Sequence, residues 1–257
     1  MKSETYDVEA EIEESHWWFV VRRELFGRLL KEFGPARSEP VLDIGTGTGA
    51  NLRMLQVQGH NNVVGLDMSD AAIGYCASKG LGTVKKGDIC DLPFPNSAFS
   101  FVFATDVIEH VDEDEKALRE IRRVLTPGGK VLISVPAFPS IWGLQDEVSH
   151  HKRRYRMQLL VDRIKGADLV PITAFHFNFL LFAPIWLARQ LFKITKPQIR
   201  SEAEVNSPLL NKLFMHIFRL DVGVARWLKP PFGVSILVVA ERLRASDVTN
   251  PTSLEAR

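Results

Sequence analysis

Val41-Leu42-Asp43-Ile44-Gly45-Thr46-Gly47-Thr48-Gly49 decides how this chain is read. Apolar residues around one aspartate make a short buried strand, and three alternating glycines end it in a turn. Glycine lets backbone pass close to a bound molecule because no Cβ stands in the way. Outward from this stretch the pattern alternates. Residues 51–58 read as a helix closed by Gly59, and 62–66 as a second strand ending at Asp67. Residues 69–78 form a helix with Ser69 as its cap. A third strand spans 83–86, with Asp88 just beyond it, and a fourth spans 99–104. Residues 113–125 are amphipathic, with Ala117, Leu118, Ile121, Val124 and Leu125 on one side. Pro127-Gly128-Gly129 breaks that helix before a fifth strand at 130–135. Strand–helix alternation implies an α/β, Rossmann-like fold with parallel strands joined by right-handed crossovers. Ligands on such sheets sit at the carboxyl ends of the strands, where the glycines, Asp67 and Asp88 fall.

Composition narrows the class. Of 257 residues, 46% are hydrophobic and 25% charged, which excludes a mostly disordered chain and a polytopic membrane protein. Cys76 and Cys90 are too few for a disulfide framework and lack metal-ligand spacing. The first 15 residues carry six acids and one lysine without an apolar core, so they do not read as a signal peptide. These features fit a cytoplasmic protein in a reducing compartment. A net charge of +1 does not suggest a nucleic-acid partner. The charge is uneven, however. Residues 183–230 hold eight Lys/Arg against three Asp/Glu, a local +5, and a peripheral contact at the inner face of the membrane is one reading of it. A solvated helix face is the other.

The C-terminal third departs from the alternation. Residues 157–165 read as a helix, 169–182 as a long apolar sixth strand and 232–240 as a last strand. From 177 to 188 only Asn178 is polar, but twelve residues are short of the roughly 20 that cross a bilayer. In 207–229, Lys212, Arg219 and Arg226 recur every seven residues opposite a broad apolar side. Such a helix would roof an apolar pocket, lie in a membrane interface or pack on the sheet. The chain is thus expected to divide into an N-terminal helical cap (1–36), a core (37–182), a helical insertion (183–230), a last core strand (231–244) and a disordered tail (245–257).

The glycine loop alone does not decide between cofactors, because dinucleotide enzymes carry a similar loop. An acid at the end of the second strand, Asp67, suits two ribose hydroxyls. Asp88 beside Ile89 suits an exocyclic amine next to a flat ring. The order of DIGTGTG, GLDMS, GDICDLPFPNSAFSFVFATDVIEHV and LTPGGKVLISVP over residues 40–136 resembles the class I S-adenosylmethionine-dependent methyltransferases, within the superfamily of the quinone-biosynthesis-like enzymes. The resemblance implies a seven-stranded sheet with helices on both faces, a helical insertion before the last strand, and that last strand antiparallel. It implies S-adenosylmethionine as cofactor and S-adenosylhomocysteine as product. By it, Asp43, Gly45, Thr46, Gly47 and Gly49 surround the methionine part. Asp67 holds the ribose with Met68 flanking adenine. Asp88 and Ile89 meet the adenine, and Thr105 and Asp106 line the mouth where sulfonium and acceptor meet.

Two flanks add to this. His16-Trp17-Trp18-Phe19 with Arg22-Arg23, and Trp142-Gly143-Leu144-Gln145-Asp146 with His150-His151-Lys152-Arg153-Arg154-Tyr155, are similar to a bacterial and archaeal subgroup associated with cell-envelope, glycan or isoprenoid-lipid genes. The N-terminal flank would lie over the cofactor, or simply pack. If 146–155 is helical, Asp146 orients His150 while His151 lies on a neighbouring ladder, and His150 or His151 takes a proton from an acceptor hydroxyl, which makes Asp146, His150 and His151 the catalytic candidates. Two adjacent histidines on a helix diverge, so no metal site is expected. The acceptor is expected to be a small molecule or a lipid- or glycan-linked one, reached by direct in-line transfer. The alternative is a cofactor-binding module without transfer activity that acts as an interaction subunit. A nucleic-acid amino-methyltransferase would carry Asn/Asp-Pro-Pro-aromatic where this chain has Thr105-Asp106-Val107-Ile108. The acceptor's identity and the oligomeric state are not legible.

Overall fold

The computed structural model describes residues 3–195, 202 and 207–244. The expected tail at 245–257 lies outside the described residues, as does part of the expected insertion. The strands are β1 (Val41–Ile44), β2 (Val63–Asp67), β3 (Thr83–Lys86), β4 (Phe99–Thr105), β5 (Leu125–Pro136), β6 (Val170–Phe177) and β7 (Ser235–Glu241). They form one seven-stranded sheet in the order β3-β2-β1-β4-β5-β7-β6. The pairs from β3 through β5 are parallel, and β7 runs antiparallel between β5 and β6. The expected architecture, including the antiparallel last strand, is what the chain adopts.

The helices are α1 (Ser3–Ile12), α2 (Trp17–Phe33), α3 (Ala50–Val57), α4 (Asp70–Ser78), α5 (Asp114–Val124), α6 (Leu144–Val148), α7 (Met157–Gly166), α8 (Phe182–Thr195) and α9 (Pro208–Leu228). Strand residues alternate faces, so the sheet carries two cores. Leu42, Ile44, Val102, Ala104, Val131 and Ile133 pack with Leu118 and Ile121 of α5 and Leu160 of α7. Val41, Phe101, Phe103, Leu132, Leu237 and Val239 pack on the other face with Leu25 and Phe26 of α2, Leu55 of α3 and Phe218 of α9. Trp18 of α2 stacks on Phe218 at 5.4 Å between ring centroids and on Phe177 at 6.0 Å. The N-terminal aromatics therefore belong in part to this second core.

Two expected elements are shorter than read. The sixth strand stops at Phe177, because Asn178 takes φ +58° and turns the chain. The turn is held by Asp221 of α9, which accepts the backbone N–H groups of Asn178, Phe179 and Leu180 at 2.7, 2.6 and 2.8 Å. The expected helix over 146–155 ends at Val148, since His150 has φ +56°, outside right-handed helix. The two predicted side-chain ladders therefore do not form.

Asp221 is fully buried, and its removal strands three backbone donors at the start of α8. Asp221→Ala is expected to cost about 2–4 kcal/mol of unfolding free energy, and Asp221→Asn less, as read by urea titration.

Candidate active site

β1 and β4 are neighbours, yet the helices that follow them pack on opposite faces of the sheet. That divergence opens a crevice at the strand ends, and a cavity of about 670 Å³ fills it. Gly45 begins the loop after β1 with φ +70°, and a Cβ there would stand 2.4 Å from Val107 Cγ2. Only glycine fits that approach. Gly47, with φ +53°, has nothing within 4 Å of where its Cβ would be, so its backbone borders open cavity. Asp67 is buried at the end of β2. One of its oxygens accepts the Gly47 N–H at 2.9 Å and the other the Ser69 N–H at 2.8 Å. Burial pushes its carboxyl up, and these backbone donors oppose the shift.

Thr46, Met68, Ile89, Thr105 and Asp106 also line the cavity. Asp43, Gly49 and Asp88 do not border it. Asp43 is wholly buried behind the wall, where burial pushes its carboxyl up to about 7. It acts through Asn51, whose amide donates to Asp43 at 3.2 Å and to Thr105 Oγ1 at 3.0 Å. Asp88 is exposed, and its carboxylate accepts the Cys90 N–H at 2.8 Å, while Gly87 and Ile89 on either side of it reach the cavity. Asp106, at φ +55°, accepts from Ser134 Oγ at 3.0 Å and forms an ion pair with Arg22 of α2. Arg22 also lies over the Trp18 and Phe26 rings at 5.4 and 5.5 Å. Arg23 turns instead toward Glu14.

The far wall holds the histidines. Asp146 is fully buried and accepts from the Arg154 Nε at 2.7 Å and the Gly143 N–H at 2.8 Å. It also meets His151 Nδ1 at 2.8 Å. Burial alone would raise its carboxyl, but the His151 hydrogen bond and Arg154 outweigh that and bring it down to about 2. An ionised Asp146 accepts the His151 Nδ1–H and leaves Nε2 for the cavity. His150, which was expected to be the oriented base, is exposed at the cavity's edge. The carboxylate selects His151 because the chain has left the helix at Val148 and turns at His150.

Several lining residues carried no readable signal in sequence. Glu13 of the first segment is buried, accepts from Thr48 Oγ1 and pairs with Lys79. Asn178 and Arg189 enter from the C-terminal third. Glu109 also borders the cavity, and nothing local in the sequence indicates its complete burial.

Residues 42–133 match the family model described as a methyltransferase domain. This part of the chain thus resembles a methyltransferase domain, and the seven-stranded sheet around it is the class I methyltransferase fold. Among curated proteins, O-methyltransferase rstn1 of Aspergillus nomiae is 29% identical over 42% of this chain and 52% of its own. Sterol 24-C-methyltransferase erg6 of Aspergillus fumigatus is 34% identical over 39% of this chain and 29% of its own. The chain thus spans about half the length, or less, of these curated relatives. The solved phosphoethanolamine N-methyltransferase 2 of Haemonchus contortus, in complex with S-adenosylmethionine, superposes at a TM-score of 0.56. It is 22% identical and covers 84% of this chain and 52% of that one, so it speaks to the fold. The methyltransferase cavity fits the cofactor on its own features: the open cradle beside Gly47, the Asp67 edge, and a buried Arg22 Nε with no hydrogen-bond partner.

The depressed Asp146 carboxyl has a stability consequence. Its folded value of about 2 lies below the ordinary 3.8, so its contribution is present above pH 4 and is lost as pH falls through 2. It amounts to roughly 2 kcal/mol. Urea midpoints measured between pH 5 and pH 2 are expected to fall in the parent and to fall less steeply in Asp146→Asn.

Proposed function

We propose that this protein transfers a methyl group from S-adenosylmethionine to an acceptor with an apolar tail, presented at a membrane surface. The observation that carries this reading is a single cavity shared by two walls. Gly47, Asp67 and Ile89 form one, and Glu109, His110 and His151 form the other. S-adenosylmethionine supplies a methyl group made electrophilic by its sulfonium. The Gly45–Gly47 backbone holds the methionine part, and Asp67 and Ile89 bind and orient the nucleoside side. Trp18 and Phe19 of α2 line the cavity and exclude water. Catalysis then rests on holding the acceptor atom in line and desolvated. The acceptor's nucleophile meets the His151 wall, where Asp146 fixes the imidazole.

Two faces of α8 support the acceptor class. Ile185, Ala188, Arg189 and Phe192 face the cavity. Trp186, Leu187, Leu191 and Ile194 are exposed on the side away from it. α9 adds an exposed stripe of Leu209, Leu213, Leu220, Val224 and Trp227, the last 83% exposed. Apolar surface of this extent on a soluble-sized chain marks an interaction face. Lys193, Lys212 and Lys229 are exposed on the same two helices and their border, which suits an anionic bilayer. Arg219 and Arg226 do not serve that role, because they pair with Glu24 and Glu32 of α2. Among the described residues no helix is long and apolar enough to cross a membrane.

Asp67→Ala is expected to weaken S-adenosylhomocysteine binding in calorimetry by about 1–3 kcal/mol. Unchanged affinity would remove the cofactor placement. In co-sedimentation with phosphatidylglycerol–phosphatidylethanolamine vesicles, the parent should pellet, and Leu220→Asp with Trp227→Ala should stay largely in solution. Equal partition of parent and variant would overturn the membrane reading. With methyl-labelled cofactor and a polar-lipid extract, His151→Ala should lower transfer into the organic phase at least about tenfold with cofactor affinity intact.

A further inference from the structure

The wall opposite the nucleoside side contains a cluster that methyl transfer by positioning does not need. Glu109 is 0% exposed, borders the cavity, and neither of its carboxylate oxygens has a hydrogen-bond partner. A buried carboxylate left without partners is costly, and native structures normally pair it or give it a cation. Two imidazoles stand beside it. One ligand atom each from Glu109, His110 and His151 lie within 4.8 Å of one another. The His110 and His151 rings are 4.7 Å apart, centroid to centroid, with planes at 81°. These residues come from separate parts of the chain. Glu109 and His110 sit in the single turn after β4, and the Lys152 N–H donates to the Glu109 carbonyl at 2.8 Å, which brings the His151 loop alongside.

The surrounding groups are arranged as metal sites usually arrange them. A ligating imidazole commonly donates its other ring N–H to a carboxylate or carbonyl, which fixes the ring and its tautomer. His151 does so to Asp146 through Nδ1. His110 lies beside the backbone of Ser149 and His150 and borders the cavity. His151 keeps its Nε2 for the cavity. Lys152 is exposed and pairs with Asp112, while Arg22 and Arg154 act on Glu109 only from a distance, because they spend their ion pairs on Asp106 and Asp146.

We infer that Glu109, His110 and His151 form a binding site for one divalent transition-metal cation on the acceptor side of the cavity. Two imidazoles and one carboxylate make a three-ligand face suited to Zn²⁺, Mn²⁺ or Fe²⁺, with the remaining positions open. Those positions face the cavity and would take an oxygen of the acceptor, so the cation selects an oxygen-bearing acceptor. Adjacent histidines diverge on a helix, which would keep His150 and His151 from sharing a metal. The chain is not helical there, and the partner of His151 is His110. The cation's role toward the acceptor rests on the proposed methyl transfer, whereas the cation site itself does not.

The test uses full-length protein dialysed against EDTA and then against buffer, with ZnCl₂ titrated calorimetrically and MnCl₂ followed by electron paramagnetic resonance. One saturable equivalent is expected. Glu109→Gln and His151→Gln should each weaken it by at least about 100-fold, and His216→Ala, an exposed histidine on α9, should leave it unchanged. Far-UV circular dichroism and S-adenosylhomocysteine titration of the same variants report whether fold and cofactor site persist. No saturable binding of either metal, or equal binding by folded Glu109→Gln and His151→Gln, overturns the site. Metal binding without any S-adenosylhomocysteine binding would leave the cation site standing and remove the methyl-transfer reading.

Discussion

Two parallel strands that hydrogen-bond to each other while their chains depart to opposite faces set everything else in place. Ile44 of β1 lies in register with Ala104 of β4, and α3 and α5 then pack into different cores. No helix can cover the gap between the two departures. The glycine loop, Asn51, Thr105 and Asp106 all stand on its rim. Asn51 ties the rim together by reaching from α3 to both Asp43 and Thr105. The buried Asp43 thus holds the edge of the cavity in shape without bordering it.

A second constraint is electrostatic. The far wall gathers Glu109, His110, Asp146, His151, Arg154 and Arg189 in a space largely removed from water. Asp146 neutralises part of this set, since it contacts His151 and Arg154 and lies 3.8 Å from Arg189 of α8. Glu109 has no such partner, and burial pushes its carboxyl up to about 8. His110 is pushed the other way, down to about 4, by burial and by the neighbouring His151. One carboxylate is satisfied and the other is not, within the same few residues. Paired groups of this kind hold a fold together; unpaired ones mark where something else is bound.

The C-terminal third joins the two themes. Asp221 pins the start of α8 to α9, and Arg189 pins α8 to the far wall by donating to the Ile141 carbonyl at 2.6 Å. α8 is thereby held with one face on the cavity and its apolar opposite face outward. The basic repeat on α9 is partly consumed in pairing with α2, so the outward surface owes its character to leucine and tryptophan more than to charge.

Fold class, the seven strands and the antiparallel last strand were legible because period-two and glycine-turn patterns are local and the resemblance runs through residues 40–136. Gly45, Thr46, Gly47, Asp67, Met68 and Ile89 could be placed on the cavity wall for the same reason: each sits within a few residues of a strand end. Local rules failed at 146–155. A helix was consistent with the residue types, but the left-handed backbone at His150 and the buried charge of Asp146 are set by what packs around them. The partnership of Asp146 with His151 in place of His150, the meeting of His110 with His151, the isolation of Glu109 and the outward leucines of α8 and α9 are contacts, or missing contacts, between segments far apart in sequence. By itself the sequence determined the sheet, the glycine cradle and the resemblance to methyltransferases; the tertiary structure alone decided which buried charges find partners, because desolvation and pairing depend on neighbours that no local pattern names.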